Sequence, residues 1–230
     1  ALGTKFFRTD GSPFVPVGGT LDQIQRIDCS AARALLDGVR IVAMCDVDNP
    51  LYGPAGAAAV FAPQKGADGE MVKRLDGQLR SLSGALKREL GLSLAGVPGA
   101  GAAGGMGAGC MAFLGAELKS GIEAVLEMVE FDRHLADADL VITGEGRIDC
   151  QSVQGKVISG IAKHMRGSSV PLVAVVGGIG PGADKAYELG VTAMFGIDRE
   201  AVAFEEYAPR TRENYQQTLE DILRLIRFWA

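Results

Sequence analysis

The stretch LVITGEGRIDCQSVQGKVISGIAKHMRGSSVPLVAVV, residues 140–176, decides the fold of the second half of the chain. It opens with a short apolar run typical of a buried strand. A polar loop, a helical pattern at 156–165 and a second apolar run at 172–176 follow. A helix after Pro181 and a strand at 191–195 continue the alternation. This spacing predicts right-handed βαβ units in an α/β fold, with an open parallel (Rossmann/flavodoxin-like) sheet flanked by helices.

Toward the N-terminus the pattern is less regular and richer in glycine. Residues 6–7 (FF), followed by the turn signal at 10–13 (DGSP), predict a strand and hairpin. Thr20 is expected to cap a short helix. Residues 40–45 (RIVAMC) have the pattern of a buried strand.

Four further helices are expected. Asp68 is a good N-cap, and the apolar residues that recur after it up to Leu90 predict an amphipathic helix. The low-complexity run at 96–109 leads into an apolar segment expected to stay helical as far as Leu118, and another helix is expected at 121–129. The closing helix is expected to bury one apolar face, formed by Tyr215, Leu219, Ile222, Leu223 and Ile226.

Composition and charge limit the class of protein. Hydrophobic residues make up 47% and charged residues 22% of the 230 residues, an ordinary balance for a folded chain. The net charge of −5 provides no basic field for nucleic acid or an anionic membrane. The four cysteines lack CxxC spacing, and no apolar run is long enough to span a bilayer. We therefore expect reduced thiols and a cytoplasmic protein that binds neither nucleic acid nor membrane.

Gly99, Gly101 and Gly104 match the pattern GxGxxG, in which backbone amides and a helix N-terminus cradle a phosphate. The pattern alone is weak, because an NAD site would need a clear strand directly before it. Besides NAD binding, two interpretations stay open. One is a glycine run that lets helices pack closely, and the other is a phosphate-binding loop of another kind, which we favour.

The polar loop after the strand at 140–143 lies where α/β proteins hold ligands. It is not a Walker A loop, because its glycine spacing differs and Val157 stands where Ser or Thr would bind magnesium. Its acidic side chains can bind Mg²⁺ or act as a general base toward a hydroxyl; alternatively, they cap the next helix and pair with Arg147. The candidate residues are Glu145, Asp149, Ser152 and Lys156.

A second polar loop follows the strand at 40–45. Asp46, Asp48 and Asn49 lie at its start, and Lys65 precedes a glycine after a stretch of small residues. These groups can bring a lysine and backbone amides to a phosphate. An ordinary turn with a solvated surface lysine explains the same pattern equally well.

Three long segments in this order resemble the glycerate kinase family, whose members phosphorylate D-glycerate with ATP. They are CDVDNPLYGPAGAAAVFAPQKGA (45–67), PGAGAAGGMGAG (98–109) and DADLVITGEGRIDCQSVQGK (137–156). The resemblance covers essentially the whole chain. Family members carry a further N-terminal part with a lysine motif, a DGGEGT-like motif and a GGSATNDGG-like loop. The chain is therefore expected to be the C-terminal portion of such an enzyme, inactive alone.

The resemblance implies two α/β domains with the site in the cleft between them. Residues 1–126 would form a Gly-rich inserted α/β domain, and residues 127–230 the C-terminal half of a split parallel-sheet domain. The implied ligands are ATP, Mg²⁺ and D-glycerate, and assembly into a homo-oligomer is left open. Two other classes also stay open, a non-catalytic nucleotide- or metabolite-binding module and an NAD-dependent oxidoreductase.

The resemblance also suggests roles for the candidate residues, since phosphoryl transfer depends on positioning and on neutralisation of charge. The expected assignments are Lys65, Gly99, Gly101, Gly104 and Gly105 for the phosphates of ATP; Asp46 and Glu145 for Mg²⁺; Asp48, Asn49 and Ser152 for the substrate; and Asp149 and Lys156 for catalysis.

Overall fold

The computed structural model describes residues 2–150, 157–200 and 202–229. The chain divides into two units, Ala1–Gly121 and Ile122–Ala230. Unit 1 begins with an antiparallel sheet in the order β2-β1-β3, made of β1 (Lys5–Phe7), β2 (Pro13–Phe14) and β3 (Arg26–Asp28). The hairpin expected at the start of the chain is therefore confirmed.

Thr20 does not cap a helix in the expected way. Its hydroxyl accepts a hydrogen bond from the Val17 amide at 3.0 Å and donates to the Val17 carbonyl at 3.2 Å. Only a single 3₁₀ turn, Leu21–Gln23, follows it. Because the Thr20 hydroxyl is hydrogen-bonded to the backbone of Val17, it does not cap a helix, and the prediction is wrong.

The long amphipathic helix is confirmed. After α1 (Ser30–Leu35), β4 (Val42–Met44) and α2 (Ala57–Phe61), helix α3 spans Gly69–Leu90. Asp68 Oδ1 accepts a hydrogen bond from the Met71 amide at 2.8 Å. The helix ends at Gly91, whose φ of 72° is left-handed. Leu79 and Leu86 bury its inner face against the core of unit 1.

The helix expected to run as far as Leu118 stops earlier. α4 covers Ala102–Leu114, and Gly115 ends it with a φ of 64°. Residues Glu117–Lys119 form strand β5, which pairs in parallel with β4. β4 is not the buried strand that was expected, since β5 is its neighbour in a sheet of two strands and the Met44 side chain is 58% exposed.

Unit 2 contains the predicted parallel sheet, in the order β6-β7-β8. The middle strand β7 is buried along its whole length, which explains its unbroken apolar sequence LVAVV. The elements of unit 2 in chain order are α5 (Gly121–Met128, which starts on the last residue of unit 1), α6 (Phe131–Leu135), β6 (Val141–Thr143), α7 (Val157–His164), β7 (Leu172–Val176), α8 (Lys185–Glu188), β8 (Ala193–Gly196), α9 (Phe204–Tyr207) and α10 (Thr211–Trp229). The boundary that was expected after residue 126 falls inside α5.

The closing helix buries only part of the expected face: Ile222 is buried and Leu219 packs against the same core, whereas Tyr215, Leu223 and Ile226 are exposed. Asn214, Thr218 and Ile222 are 3%, 5% and 4% exposed, whereas Leu223 is 53% exposed. Polar residues can occupy this stripe partly because the Thr218 hydroxyl donates to the Asn214 carbonyl within the helix at 2.8 Å. None of the helices in the described parts of the chain is both long and apolar enough to cross a membrane.

Candidate functional site

In unit 1 the glycine run packs against the loop that follows β4. Gly99 has a φ of 82°, and a Cβ added there would lie 2.8 Å from the Cys45 sulfur. The Gly101 amide donates to the Asn49 carbonyl at 2.9 Å, and a Cβ on Gly101 would collide with the Pro50 carbonyl oxygen. The close approach of these two backbone segments therefore requires glycine at both positions.

Residues 103–105 form a left-handed bend. Ala103, Gly104 and Gly105 have φ values of 50°, 80° and 100°, so the regular part of α4 begins only after them. The Gly104 and Gly105 amides donate to the Gly101 carbonyl at 3.1 and 3.2 Å. Their N–H groups therefore do not form an open cradle for an anion. No strand runs directly into this bend, so its surroundings differ from those of an NAD fingerprint.

Beside the bend lies a cavity of about 670 Å³ in unit 1, bounded by α2, α3 and α4. Lys65, Gly104 and Gly105 line it, whereas Gly99 and Gly101 do not. Lys65 is the only charged residue among the described residues of its lining. The structure thus brings together part of the phosphate-binding set that was expected from the sequence. The main apolar walls come from Phe61, Leu75, Leu79, Met106 and Phe113.

The three polar residues after β4 have separate environments. Asp46 Oδ1 accepts a hydrogen bond from the amide of Gly121, the first residue of α5, at 2.6 Å. A carboxylate at a helix N-terminus is favoured by the helix dipole. The Asn49 side-chain amide donates to the Ala55 carbonyl at 2.9 Å and so holds its own loop closed. Asp48 is exposed.

In unit 2 the loops that follow β6 and β7 are joined along their backbones. The Ile148 amide donates to the Gly178 carbonyl at 3.0 Å, and the Gly180 amide donates to the Ile148 carbonyl at 2.7 Å. Ile148 is 1% exposed and anchors the loop that carries the acidic candidates. Two further bonds extend the ladder, from the Gly177 amide to the Glu145 carbonyl and from the Cys150 amide to the Pro181 carbonyl.

The loop at 177–182 (GGIGPG) was missed by the sequence analysis. A Cβ on Gly177 would collide with the Gly146 carbonyl, and one on Gly180 would lie 3.1 Å from the Asp149 Cβ. These glycines allow the second loop to lie directly against the first. The available signal was a glycine cluster immediately after the buried strand β7, at the edge of the sheet where ligands bind.

Glu145 and Asp149 are half-buried at this edge. Glu145 Oε1 accepts from the amide of Ile158, in the first turn of α7, at a long 3.4 Å. Asp149 Oδ2 lies 3.5 Å from Arg147 Nε, and the side chains of Asp149 and Arg147 are 27% and 66% exposed. The non-catalytic interpretation, in which these carboxylates cap the next helix and pair with Arg147, therefore also has a geometric basis. Ser152 and Lys156 lie outside the described residues.

A charged cluster joins α5, α6 and α7 away from these loops. His164 Nδ1 lies 2.8 Å from Asp132 Oδ1, and its Nε2 lies 2.9 Å from Glu123 Oε2. These hydrogen bonds, that to Glu123 foremost, raise the pKa of His164. Hydrogen bonds from Lys163 and then His164 lower the pKa of Glu123. The cluster ties the three helices together.

Within residues 2–150, 157–200 and 202–229, no three His, Cys, Asp or Glu side chains are grouped as a protein-only metal site would require. Mg²⁺ is often bound by one or two carboxylates together with substrate phosphates and water. The half-buried carboxylate of Glu145 fits that kind of partial site.

Comparison with known proteins extends over nearly the whole chain. A family model described as the glycerate kinase family matches residues 1–227. The chain is 42% identical to glycerate kinase of Bacillus subtilis (strain 168) over 227 residues, which cover 99% of this chain and 59% of the relative. It is 43% identical to glycerate 2-kinase of Escherichia coli (strain K12) over 197 residues, which cover 86% and 52%.

A solved structure agrees with these matches. The crystal structure of a protein from Salmonella typhimurium LT2, provisionally named glycerate kinase 2, has a TM-score of 0.81 to this chain at 37% identity. The match covers 99% of this chain and 59% of that chain. The chain thus spans 59% of the length both of this structure and of the Bacillus subtilis relative.

Proposed function

The chain belongs to the glycerate kinase family, and on this premise we propose that it is part of an enzyme that transfers a phosphoryl group from ATP to a hydroxyl of D-glycerate. The products are phosphoglycerate and ADP. The observation that carries the proposal is the family match over residues 1–227, which includes all the polar loops described above. The geometry of those loops supports it.

Asp149 is the group we assign to the hydroxyl of glycerate. Its backbone neighbours, Ile148 and Cys150, are hydrogen-bonded to the loop after β7, so its carboxylate is held at the sheet edge. A carboxylate in this position accepts the proton of the attacking hydroxyl as the new P–O bond forms and the bond between the γ-phosphorus and the bridging oxygen of ADP breaks. Arg147 Nε lies 3.5 Å from Asp149 Oδ2, and this ion pair helps to orient the carboxylate.

The phosphates of ATP need positive charge. We assign Lys65 to them because no other charged residue is found among the described residues that line the unit 1 cavity. Mg²⁺ bound to ATP would be held on the protein side by Glu145, and it would neutralise charge on the phosphates. Asp46 is a weaker candidate for that ion, since one of its oxygens already accepts the Gly121 amide.

The remaining assignments depend on the resemblance more than on contacts. Asp48 is exposed, and its carboxylate can accept hydrogen bonds from the hydroxyls of glycerate. Asn49 stabilises its own loop, so we expect it to act by positioning Asp48. Roles for Ser152 and Lys156 in binding glycerate or phosphate stay predictions.

The proposal is tested by measuring ADP formation with the native protein that carries this chain. ADP release that requires both D-glycerate and Mg²⁺ is the expected result. ATP hydrolysis that is indifferent to glycerate, or no use of ATP at all, would remove the proposed reaction.

A further inference from the structure

We infer that the cavity of unit 1 binds the nucleoside base of the phosphoryl donor, with Lys65 facing its phosphates. The inference rests on the proposed function, and it adds which unit holds the nucleotide and which part of the nucleotide each wall contacts. It is carried by the size of the cavity, the chemistry of its lining and the presence of Lys65 as the only charged residue among the lining residues that the structure describes.

The cavity has the dimensions of a ligand site rather than of a packing defect. Its volume is about 670 Å³, within the range of about 300–1,000 Å³ that is usual for small-molecule pockets. Protein interiors are close-packed and leave few voids larger than a water molecule. Val17 and Met106, which line the cavity, are 59% and 63% exposed, so a ligand can reach it from solvent.

The walls suit a flat apolar group. Phe61 and Phe113 contribute aromatic surface, and Leu75 and Leu79 contribute aliphatic surface from α3. The ring of Phe113 is held edge-on against Phe6, with centroids 5.4 Å apart and planes at 84°. A purine base buries well against such surfaces.

The charge distribution selects an anion with an apolar body. Among the described lining residues Lys65 is the only charged one, and no carboxylate is present. Glycerate is small and polar throughout, and it would leave most of this lining without a partner. A nucleotide combines a flat aromatic base, whose faces pack against apolar side chains, with phosphates that a lysine can bind.

Glycines keep the cavity open. Gly104 has no atom within 4 Å of where a Cβ would be, and at Gly109 the nearest such atom is Phe113 Cδ2 at 4.0 Å. A leucine at 109 can therefore be accommodated by the helix while its side chain occupies the cavity. Gly77, on the exposed side of α3, also has no atom within 4 Å and does not line the cavity.

The first test compares Gly109→Leu with the matched control Gly77→Leu in the native protein. Binding of ATP, adenosine and inorganic tripolyphosphate is measured by calorimetry. Gly109→Leu is expected to weaken ATP and adenosine at least about tenfold and to leave tripolyphosphate unchanged, whereas Gly77→Leu changes none of them. Lys65→Ala is expected to weaken ATP and tripolyphosphate but not adenosine. Wild-type ATP affinity in a folded Gly109→Leu variant would overturn the inference.

The second test separates this inference from the proposed function. The native protein is photolabelled with 8-azido-ATP, and the labelled peptides are identified by mass spectrometry. Label that ATP protects and that lies near Phe61 or within 106–114 supports the inference. Label confined to unit 2, in a protein that still phosphorylates glycerate, overturns the inference and leaves the proposed function intact. No protectable label and no glycerate phosphorylation would overturn both.

Discussion

Gly180 lies directly against Asp149: a Cβ added to the glycine would be 3.1 Å from the Asp149 Cβ and 2.9 Å from an Arg147 nitrogen. The loop after β7 therefore limits the positions that Asp149, the proposed general base, can occupy. Gly178, in the same loop, has no atom within 4 Å of an added Cβ. Gly180 and Gly178 lie in the same loop, but only a Cβ added to Gly180 would contact Asp149. Gly178 is therefore a matched control for Gly180.

Gly180→Ala is expected to lower kcat by at least about tenfold, because small displacements of catalytic groups cost rate steeply. Gly178→Ala is expected to keep kcat within about twofold of wild type, since a methyl group added there has no atom within 4 Å. Steady-state kinetics of both variants of the native protein checks this. Equal losses in the two would mean that the loop as a whole matters and that contact with Asp149 does not.

Asp149→Asn is expected to lower kcat by at least roughly 100-fold with little change in Tm, as removal of a general base does. If Asp149 served only as the partner of Arg147, Arg147→Ala would lower kcat by the same factor. Loss of this largely exposed ion pair should change the free energy of unfolding by about 1 kcal/mol or less. Kinetics and thermal unfolding of both variants separate the two roles. A near-normal kcat in Asp149→Asn would remove it from the mechanism.

Gly101→Ala is expected to destabilise the protein by about 2 kcal/mol or more, because the added methyl group collides with the Pro50 carbonyl. Gly77→Ala, in the exposed part of α3, is expected to stabilise by about 0.5–1 kcal/mol through helix propensity. Urea unfolding of the two variants provides the comparison. Similar stability in both would show that the glycine run does not pack as described.

The cluster around His164 predicts a pH dependence. Its raised pKa means that its stabilising contribution is fully present below the ordinary value of 6.5 and is lost as pH rises through the folded value. The lowered pKa of Glu123 means that its contribution is present above 4.5 and is lost as pH falls through its folded value. The contacts made by His164 with Glu123 and Asp132, and by Lys163 with Glu123, should therefore stabilise most between these limits.

His164→Asn is accordingly expected to destabilise more at pH 5.5 than at pH 8.5, by on the order of 1 kcal/mol after allowance for solvent screening. Unfolding free energies at the two pH values measure the difference. His134→Asn, a histidine on neighbouring α6, is the control. An equal effect of His164→Asn at both pH values would contradict a protonated bridge.

The sequence predicted those features of the fold that depend on local pattern. The unbroken apolar run of β7 and the alternation around it indicated a parallel sheet, and Asp68 with the leucines after it indicated α3. The pattern was ambiguous where a single residue determines the end of a helix. Gly115 ends α4 through its left-handed backbone, but in sequence it is one more glycine in an apolar segment.

In the candidate sites, too, the sequence predicted local features but not contacts between distant segments. Lys65 and Gly104 were singled out from the sequence and line one cavity. The proximity of Gly180 to Asp149 could not be foreseen, because it depends on the register between two loops that are distant along the chain. The polar part of the buried stripe of α10 was not predicted for a related reason, since Asn214 and Thr218 are polar and only tertiary packing buries them.

The transfer of a phosphoryl group to glycerate is tested most directly by NMR of the product. The native protein is incubated with ATP, Mg²⁺ and ¹³C-labelled D-glycerate, and ³¹P and ¹³C spectra are recorded together. We expect a new phosphomonoester resonance coupled to a glycerate carbon, formed in equal amount with ADP. Conversion of ATP to ADP and inorganic phosphate with unaltered glycerate, or no conversion at all, would contradict it.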